Sequence, residues 1–514
     1  MQDQKIRRVL LMSLPAIMVS GAPENNYNIS HAFNLGLAYL AGLLRKNRIH
    51  VGILDCLVED PHNIRSIEDE WCEVGLSDKH ILEFIGGFDA DLVGISIPFS
   101  YQHQMAMKLI EKIKLTFPDL FIVVGGNHVS AVPETIDRRH VDYLIIGEGE
   151  FALFYLINAI NQDQPVDEIP GIISRNALTF RRAPYIKDLD SLPFPAIDLL
   201  PLQKLWQGGR RWINMVATRG CVYDCVFCSI HTILGYTIRR RSVENVIAEI
   251  KFWHKVYRVQ EIYFEDDNLT TNKQWAKELF RQITKNNFGI RFYARNGIRA
   301  DSIDKELLSL MKAAGYKDFY IAPESGSQET LDKIIGKKMK LEDCTRAVQL
   351  AQEVGIQANA FFVLGFPQES LEDIQKTISY ARDLKKMGCE GFWFSLAVPY
   401  PATRLFDECL KNGYITQDFN YRKLRVAKSV IINHNCSPDQ LEVIRDNAMK
   451  ELNPAALSPL EKGLRALLLF FRDRSFFFSK LKYKLGIVSN RSLNQRIIQN
   501  AAYHLSNESS EEVL

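Results

Sequence analysis

Two stretches of this chain, Val9 to about Glu150 and Ile213 to about Leu405, repeat one pattern: a short β-rich run, a helical period, then the next run. Such alternation demands parallel strands joined by helical crossovers, so each stretch folds as a sheet faced with helices. The first predicts strands at Val9–Leu14, His50–Leu54, Leu92–Ile97, Phe121–Val124 and Tyr143–Ile146. The second predicts strands near Ile213–Ala217, Glu261–Phe264, Arg291–Ala294, Asp318–Ala322, Ala358–Leu364 and Gly391–Leu396. Six units in this span fit a partial barrel, since a closed eight-unit barrel takes about 250 residues.

At 514 residues the chain is long for one core, and the pattern divides it into 1–165, 166–207, 208–410 and 411–514. The second span reads as a linker, because Pro193 and Pro195 in Leu189–Pro195 block helix and interior strand alike. The last span is helical and irregular. Hydrophobic residues make up 46% and charged residues 24%, which excludes disordered and collagen-like classes. With 63 basic and 61 acidic residues there is no overall field for a polyanion, and nothing after residue 412 reads as a small β RNA-binding domain, so no nucleic-acid partner is expected.

Lys5-Ile6-Arg7-Arg8 ahead of the uncharged run Val9–Pro23 mimics a signal peptide, but Pro15 interrupts it and a buried first strand is the better reading. No run reaches the roughly 18 apolar residues of a membrane span. Nine cysteines, an odd number with three in eight positions, argue against a disulfide framework and for a reducing, cytoplasmic setting.

Those three are Cys221, Cys225 and Cys228, a C-x3-C-x2-C array just after the first strand of the second series. Three thiolates on one short loop suit one face of an iron–sulfur cube, whose usual set is four cysteines. With no fourth nearby, one iron would stay open to another ligand. A zinc site is the alternative, with His231 as its one close nitrogen.

At these residues the chain resembles the radical S-adenosylmethionine (SAM) superfamily, Phe227 supplying the aromatic residue before the third cysteine. Ile262–Asn268, Ala322–Ser327 and Val363–Glu369 resemble its second-, fourth- and fifth-strand motifs in order. Pro399–Thr403 departs from the common P-Y-P-G-T, with Ala402 in place of glycine. The resemblance implies a [4Fe-4S] cluster on the three cysteines and SAM chelating the open iron. It implies ligand roles toward SAM for Glu265, Asp266, Asp267, Glu324, Ser325 and Gly365, with helix capping as the competing role for the carboxylates. Arg240 and Arg241 are further candidates for the methionyl carboxylate. An electron donor such as flavodoxin or ferredoxin is implied as well.

The first series resembles the flavodoxin-like cobalamin-binding domains fused ahead of radical SAM domains. The resemblance rests on Ser96, Gly125-Gly126-Asn127-His128 and Gly147-Glu148-Gly149-Glu150, and implies cobalamin contacts for Ser96, Gly125, Gly126, Gly147 and Glu148. The D-x-H-x-x-G loop of the classical domains is replaced by Asp55–Asp60, where Leu57 stands in the histidine's place and His62 lies out of register. A histidine below cobalt is therefore not expected.

Together these features imply a cobalamin-dependent radical SAM enzyme. It would methylate an unactivated carbon of a small-molecule or lipid-like substrate through a 5′-deoxyadenosyl radical. The alternatives are a cyclase or rearrangement enzyme without methyl transfer, and a non-catalytic cobalamin or iron–sulfur sensor. A basic, aromatic-rich tail, 462–496, has nine basic residues against Asp473 alone, and suggests peripheral contact with anionic membranes.

Overall fold

The computed structural model describes residues 5–19, 34–68, 71–177, 180–206, 209–415, 419–433 and 435–453. The basic tail lies outside the described residues.

The first sheet has six strands: β1 (Arg8–Ser13), β2 (His50–Asp55), β3 (Leu92–Ser96), β4 (Phe121–Gly125), β5 (Tyr143–Ile145) and β6 (Ile172–Ser174). Their order is β2-β1-β3-β4-β5-β6, and every pairing is parallel except the last. This is the doubly wound flavodoxin-like order, with its switch point between β1 and β3. The strands read as unbroken apolar runs because both faces are covered. In β1, Val9 and Leu11 enter one core and Leu10 and Met12 the other. Helices α1 (Leu35–Lys46) and α2 (Glu150–Asn161) cover the Val9 face.

The expected linker is built into the molecule. Its Ile172–Ser174 is β6, and Ala196, Ile197, Leu202 and Trp206 join the core shared by both halves. The proline strap lies on α1, where the N–H of Ala196 donates to the carbonyl of Ala38 at 2.8 Å. A Cβ on Gly42 would meet the Phe194 carbonyl at 2.6 Å, so only glycine admits the strap so closely.

The second sheet contains β7 (Trp212–Met215), β8 (Glu261–Phe264), β9 (Arg291–Ile298), β10 (Tyr316–Glu324), β11 (Gln357–Leu364) and β12 (Gly391–Leu396). They stand in sequence order and all pair in parallel, forming a six-unit partial barrel. Helix α3 (Leu371–Lys386) follows β11, and α4 (Pro438–Leu452) packs on the edge strand β12. Asn453 seals that edge, accepting from the N–H of Phe392 at 2.9 Å and donating to its carbonyl at 2.7 Å, which blunts an otherwise open ladder. The sequence reading missed a small antiparallel sheet of Ala16–Val19, Trp71–Val74 and Ile64–Glu68. No helix among the described residues is long and apolar enough to cross a membrane.

Candidate functional site

The carboxyl ends of both sheets converge on one cavity of about 370 Å³. Its floor comes from the first sheet, with Leu11, Gly94, Val123 and Ile145 under Leu37 and Leu40 of α1, and Ser96, Gly125, Gly126 and Gly147 at the strand ends. Its far wall comes from the barrel, with Val216, Thr218, Arg219, Glu265 and Asp267. The glycines differ in purpose. A Cβ on Gly126, at φ +108°, would lie 2.7 Å from the Ile97 carbonyl, so this residue permits a tight turn. Gly147, at φ +88°, has no atom within 4 Å of an added Cβ and leaves the cavity open.

The cysteine loop leaves β7 and is held at both ends. Gly220 adopts φ +93°, and any Cβ there would sit 2.3 Å from the Thr237 carbonyl. The N–H of Val226 donates to Ile335 and that of Leu405 to Val226, so the loop is stitched to the helical segments Thr330–Ile335 and Arg404–Lys411. All three thiols are partly exposed, and burial pushes Cys228 up to about 12 and raises Cys225. Among the described residues no three His, Cys, Asp or Glu side chains converge as ligands of one metal ion. His231 does not complete a zinc set, because its Nε2 contacts the Tyr223 carbonyl at 2.5 Å and its ring stacks on Tyr236 at 3.8 Å.

The acidic strand end 265–267 separates into three roles. Asp266 turns away from the cavity, accepting from the N–H of Ala217 (3.1 Å), the N–H of Thr218 (2.5 Å) and the Thr218 hydroxyl (2.7 Å). It braces the cysteine loop, a departure from its expected role as a SAM ligand, and burial pushes its carboxyl up to about 7. Asp267 and Glu265 face the cavity. Burial lifts Asp267 to about 6 and also raises Glu265, which accepts from Asn214 and Asn296. Asn268, missed from sequence, directs Nδ2 at the Cys221 sulfur at 3.8 Å while its buried Oδ1 has no partner.

Glu324 holds φ +65°, a left-handed conformation costly for a side chain with a Cβ, and pairs with buried Lys337 at 2.6 Å. Ser325 is fully buried against α3, 3.0 Å from the Thr377 hydroxyl, so its side chain secures the turn. Gly365, at φ +86°, donates its N–H to Glu369 at 2.6 Å. Ala402 takes φ +61°, the conformation that the expected glycine would supply.

Glu148 lines the cavity, but its oxygens are committed elsewhere. It accepts from Arg219 at 2.8 Å, from Arg239 at 2.6 Å and from the N–H of Ile186 at 2.8 Å, while Glu150 takes the other arm of Arg219 at 2.6 Å. Four buried charges thus clamp the first sheet to the cysteine loop, and only the proximity of Arg219 to Cys221 hinted at it in the sequence. Burial works against the Arg219 cation, and Glu150, Tyr39 and Glu148 reverse that, so its pKa is raised. Arg241 is spent on buried Glu249 and is not free for a methionyl carboxylate, whereas Arg240 is exposed. The 55–60 loop stays off the cavity: Asp55 caps the short helix Cys56–Glu59, and His62 is exposed.

A family model described as the radical SAM superfamily matches residues 215–381, and one described as the B12 binding domain matches 30–154. An uncharacterized methyltransferase of Pyrococcus horikoshii is 31% identical over 414 residues, covering 79% of this chain and 84% of its own. The chain belongs to the cobalamin-binding radical SAM family. It is a radical SAM enzyme with a cobalamin-binding domain. Cytidylyl-2-hydroxyethylphosphonate methyltransferase of Streptomyces wedmorensis is 28% identical over 441 residues, 78% of this chain and 82% of that protein. An anaerobic magnesium-protoporphyrin IX monomethyl ester cyclase of Rubrivivax gelatinosus is 25% identical over 410 residues, 77% and 69% of the two chains. The solved structure of the cobalamin-dependent S-adenosylmethionine radical enzyme OxsB with aqua-cobalamin bound shares the fold, with a TM-score of 0.69, 18% identity and coverage of 98% of this chain and 81% of that one.

The residues present fit the family's cofactors. Three partly exposed thiols stand on one braced loop beside the orphaned Oδ1 of Asn268. The cavity has an apolar floor for a planar base and an open edge at Gly147 where a side chain would intrude.

Proposed function

We propose that this enzyme transfers a methyl group to an unactivated carbon of a small-molecule substrate, and that Cys221, Cys225 and Cys228 hold its cluster. When bound, the cluster with SAM supplies hydrogen-atom abstraction and cobalamin supplies the methyl group. The observation that carries this reading is the shared cavity, in which cobalamin-side glycines and barrel-side carboxylates bound one space. Asp267, Glu265 and the Glu324–Lys337 pair would orient the amino, ribose and methionyl groups of SAM. Ser96, Gly125, Gly126 and Gly147 would shape the cobalamin seat. Asp266 fixes the loop from beneath, and the Glu148–Arg219 clamp keeps the two seats at a constant separation. Apolar Ile233 and Leu234 close the barrel side of the cavity and help exclude water.

A lipid-like acceptor is the finer form of this proposal, and the cyclase relative supports a second reading in which no methyl group leaves cobalamin. One experiment separates them. Cells with and without the protein are grown on methyl-trideuterated methionine and their metabolites compared by mass. A product gaining an intact trideuteromethyl group only in producing cells is expected, in the lipid fraction if the acceptor is lipid-like. A product differing without that label moves the assignment to cyclisation. Purified holoenzyme that forms no 5′-deoxyadenosine from SAM under reduction rejects the radical reading altogether.

A further inference from the structure

Strand alternation splits the barrel side chains into two sets. Ile262, Phe264, Phe319, Ile321, Phe362 and Phe394 belong to the packed core. The opposite parity carries an aromatic band across neighbouring strands, of which Tyr263 and Tyr293 are themselves buried in that core and Tyr320 and Phe361 are partly exposed. Tyr263 and Tyr293 stack at 4.5 Å with planes 9° apart, and Tyr320 and Phe361 stack at 4.6 Å with planes 16° apart.

Arg295 on β9 lies over the first stack and acts through space on Tyr320 of the second. Its guanidinium carbon is 4.7 Å from the Tyr263 ring centroid and 5.1 Å from that of Tyr293, which fixes the plane of the cation. The Nε is buried and has no hydrogen-bond partner. Other charges on this face are answered: Glu261 by Arg210 and Arg291 and Glu324 by Lys337, while Glu265 accepts from Asn214 and, like Asp318, feels Arg295 only through space, with no hydrogen bond to it. Asp318 on β10 attracts Arg295 through space, yet its own Oδ1 is also buried without a partner. A guanidinium is a fork with donors fixed in one plane, matched to carboxylate and phosphate. Holding one rigid over aromatic rings with a donor unbonded leaves an unmet cost of burial that an incoming anion would remove.

We propose that the barrel interior binds its substrate through an anionic group, a carboxylate or phosphate, on Arg295, with a flat apolar portion against Tyr320 and Phe361. Asp318 receives a hydrogen-bond donor of the same molecule. This rests on the proposed methyl transfer to a small-molecule substrate and adds the barrel interior as the place where that substrate is held.

The test uses reconstituted holoenzyme with SAM and three probes of one shape: 2-naphthoate, 2-naphthyl phosphate and the neutral 2-naphthamide. Calorimetric titration is expected to show at least one anion binding about tenfold more tightly than the amide, the worth of a charged hydrogen bond. The preferred anion distinguishes carboxylate from phosphate. R295M is expected to bring anion and amide within about twofold of each other. R295K keeps the charge without the planar fork; should R295M not fold, an anion preference reduced about threefold or more in R295K serves in its place. Equal binding of anion and amide by the native enzyme, no binding of either anion, or a preference surviving in R295M overturns the proposal. Formation of 5′-deoxyadenosine from SAM without added substrate is followed in parallel. Its loss with the anion preference intact would count against the enzymatic reading and not against Arg295.

Discussion

The two sheets furnish one cavity by opposite means. At the ends of β3, β4 and β5 the first sheet withdraws side chains, leaving Ser96, Gly125, Gly126 and Gly147 around an apolar floor. At the ends of β7, β8 and β10 the barrel crowds in charge, with Glu265, Asp266, Asp267 and Glu324 beside three thiols. A bulky ligand with a nucleotide tail needs room and close backbone approach, which glycine gives. Small polar groups and a cluster need oriented donors and acceptors, which buried carboxylates give only when the fold supports them. The barrel side therefore depends on bonds to its neighbours in a way the glycine side does not, and substitutions on the two sides should fail differently.

The largest expected effect lies on the barrel side. Replacing Cys221, Cys225 and Cys228 together by Ala should abolish iron uptake on anaerobic reconstitution while cobalamin binding persists. Iron analysis and the cobalamin absorption spectrum read the two separately. Four irons retained per chain would remove the cluster assignment, and loss of both cofactors would show that the two seats are not independent.

Next in size is the clamp that joins the seats. Arg219 is 10% exposed and Glu150 8%, so R219M strands Glu150 as a buried carboxylate, while Glu148 keeps Arg239 and the N–H of Ile186. Breaking a buried pair from one side costs about 3–5 kcal/mol. Denaturant unfolding should show a loss of unfolding free energy of that order in R219M and a smaller loss when Glu148 and Glu150 are made Gln in the same chain. A loss under about 1 kcal/mol in R219M would mean that the clamp contributes no more than a surface pair.

Much of this was legible in the sequence, and the misses have a common cause. Strands such as Glu261–Phe264 and Gly391–Leu396 were readable because their apolar runs and turn residues are local. The cysteine array was readable because its ligands lie on one loop. Glu148 and Asp266 were assigned to cofactors because their partners, Arg219 in one case and the N–H groups of Ala217 and Thr218 in the other, lie 48 to 71 residues away. A carboxylate bound for a ligand and one bound for the backbone look alike in a sequence. Ala402 shows the converse: the missing glycine did not prevent φ +61°, since N-capping by Thr403 and the surrounding loop hold it there at a cost of about 1–2 kcal/mol. The small antiparallel sheet escaped because its strands have only four or five residues each and come from segments separated by α1 and β2.

A smaller effect tests whether Asp266 is structural. Its folded pKa, about 7, lies above the ordinary 3.8, so the native state holds a proton that the unfolded chain has lost across this interval. The stabilisation belongs to the protonated form: it is full below about 4 and is lost as pH rises through about 7. D266N cannot titrate, so its unfolding free energy should fall less steeply than that of the native protein between pH 4 and 7. Parallel slopes for the two proteins would place the pH dependence elsewhere, and Asp267, lifted to about 6, is the next group to replace.

The smallest expected effect is none at all, and it concerns the glycine side. Leu57 occupies the histidine's place in the classical loop, the 55–60 segment stays off the cavity, and His62 is exposed. Among the described residues the cavity is lined by no histidine. His128, next to Gly126-Asn127, is held at 3.0 Å from the Ser100 hydroxyl and 3.1 Å from His103, and burial followed by the repulsion of His103 lowers its pKa to about 3. It is thus neutral and engaged at both ring nitrogens, through Ser100 on Nδ1 and His103 and Thr135 on Nε2. Electron paramagnetic resonance of the cob(II)alamin form should therefore lack nitrogen splitting from a protein imidazole, and H62A should leave the spectrum unchanged. Splitting that disappears in H62A would mean that the loop moves into the cavity when cobalamin binds. The glycine side would then be assembled by its ligand, while the barrel side, whose carboxylates are already bonded, stands ready without one.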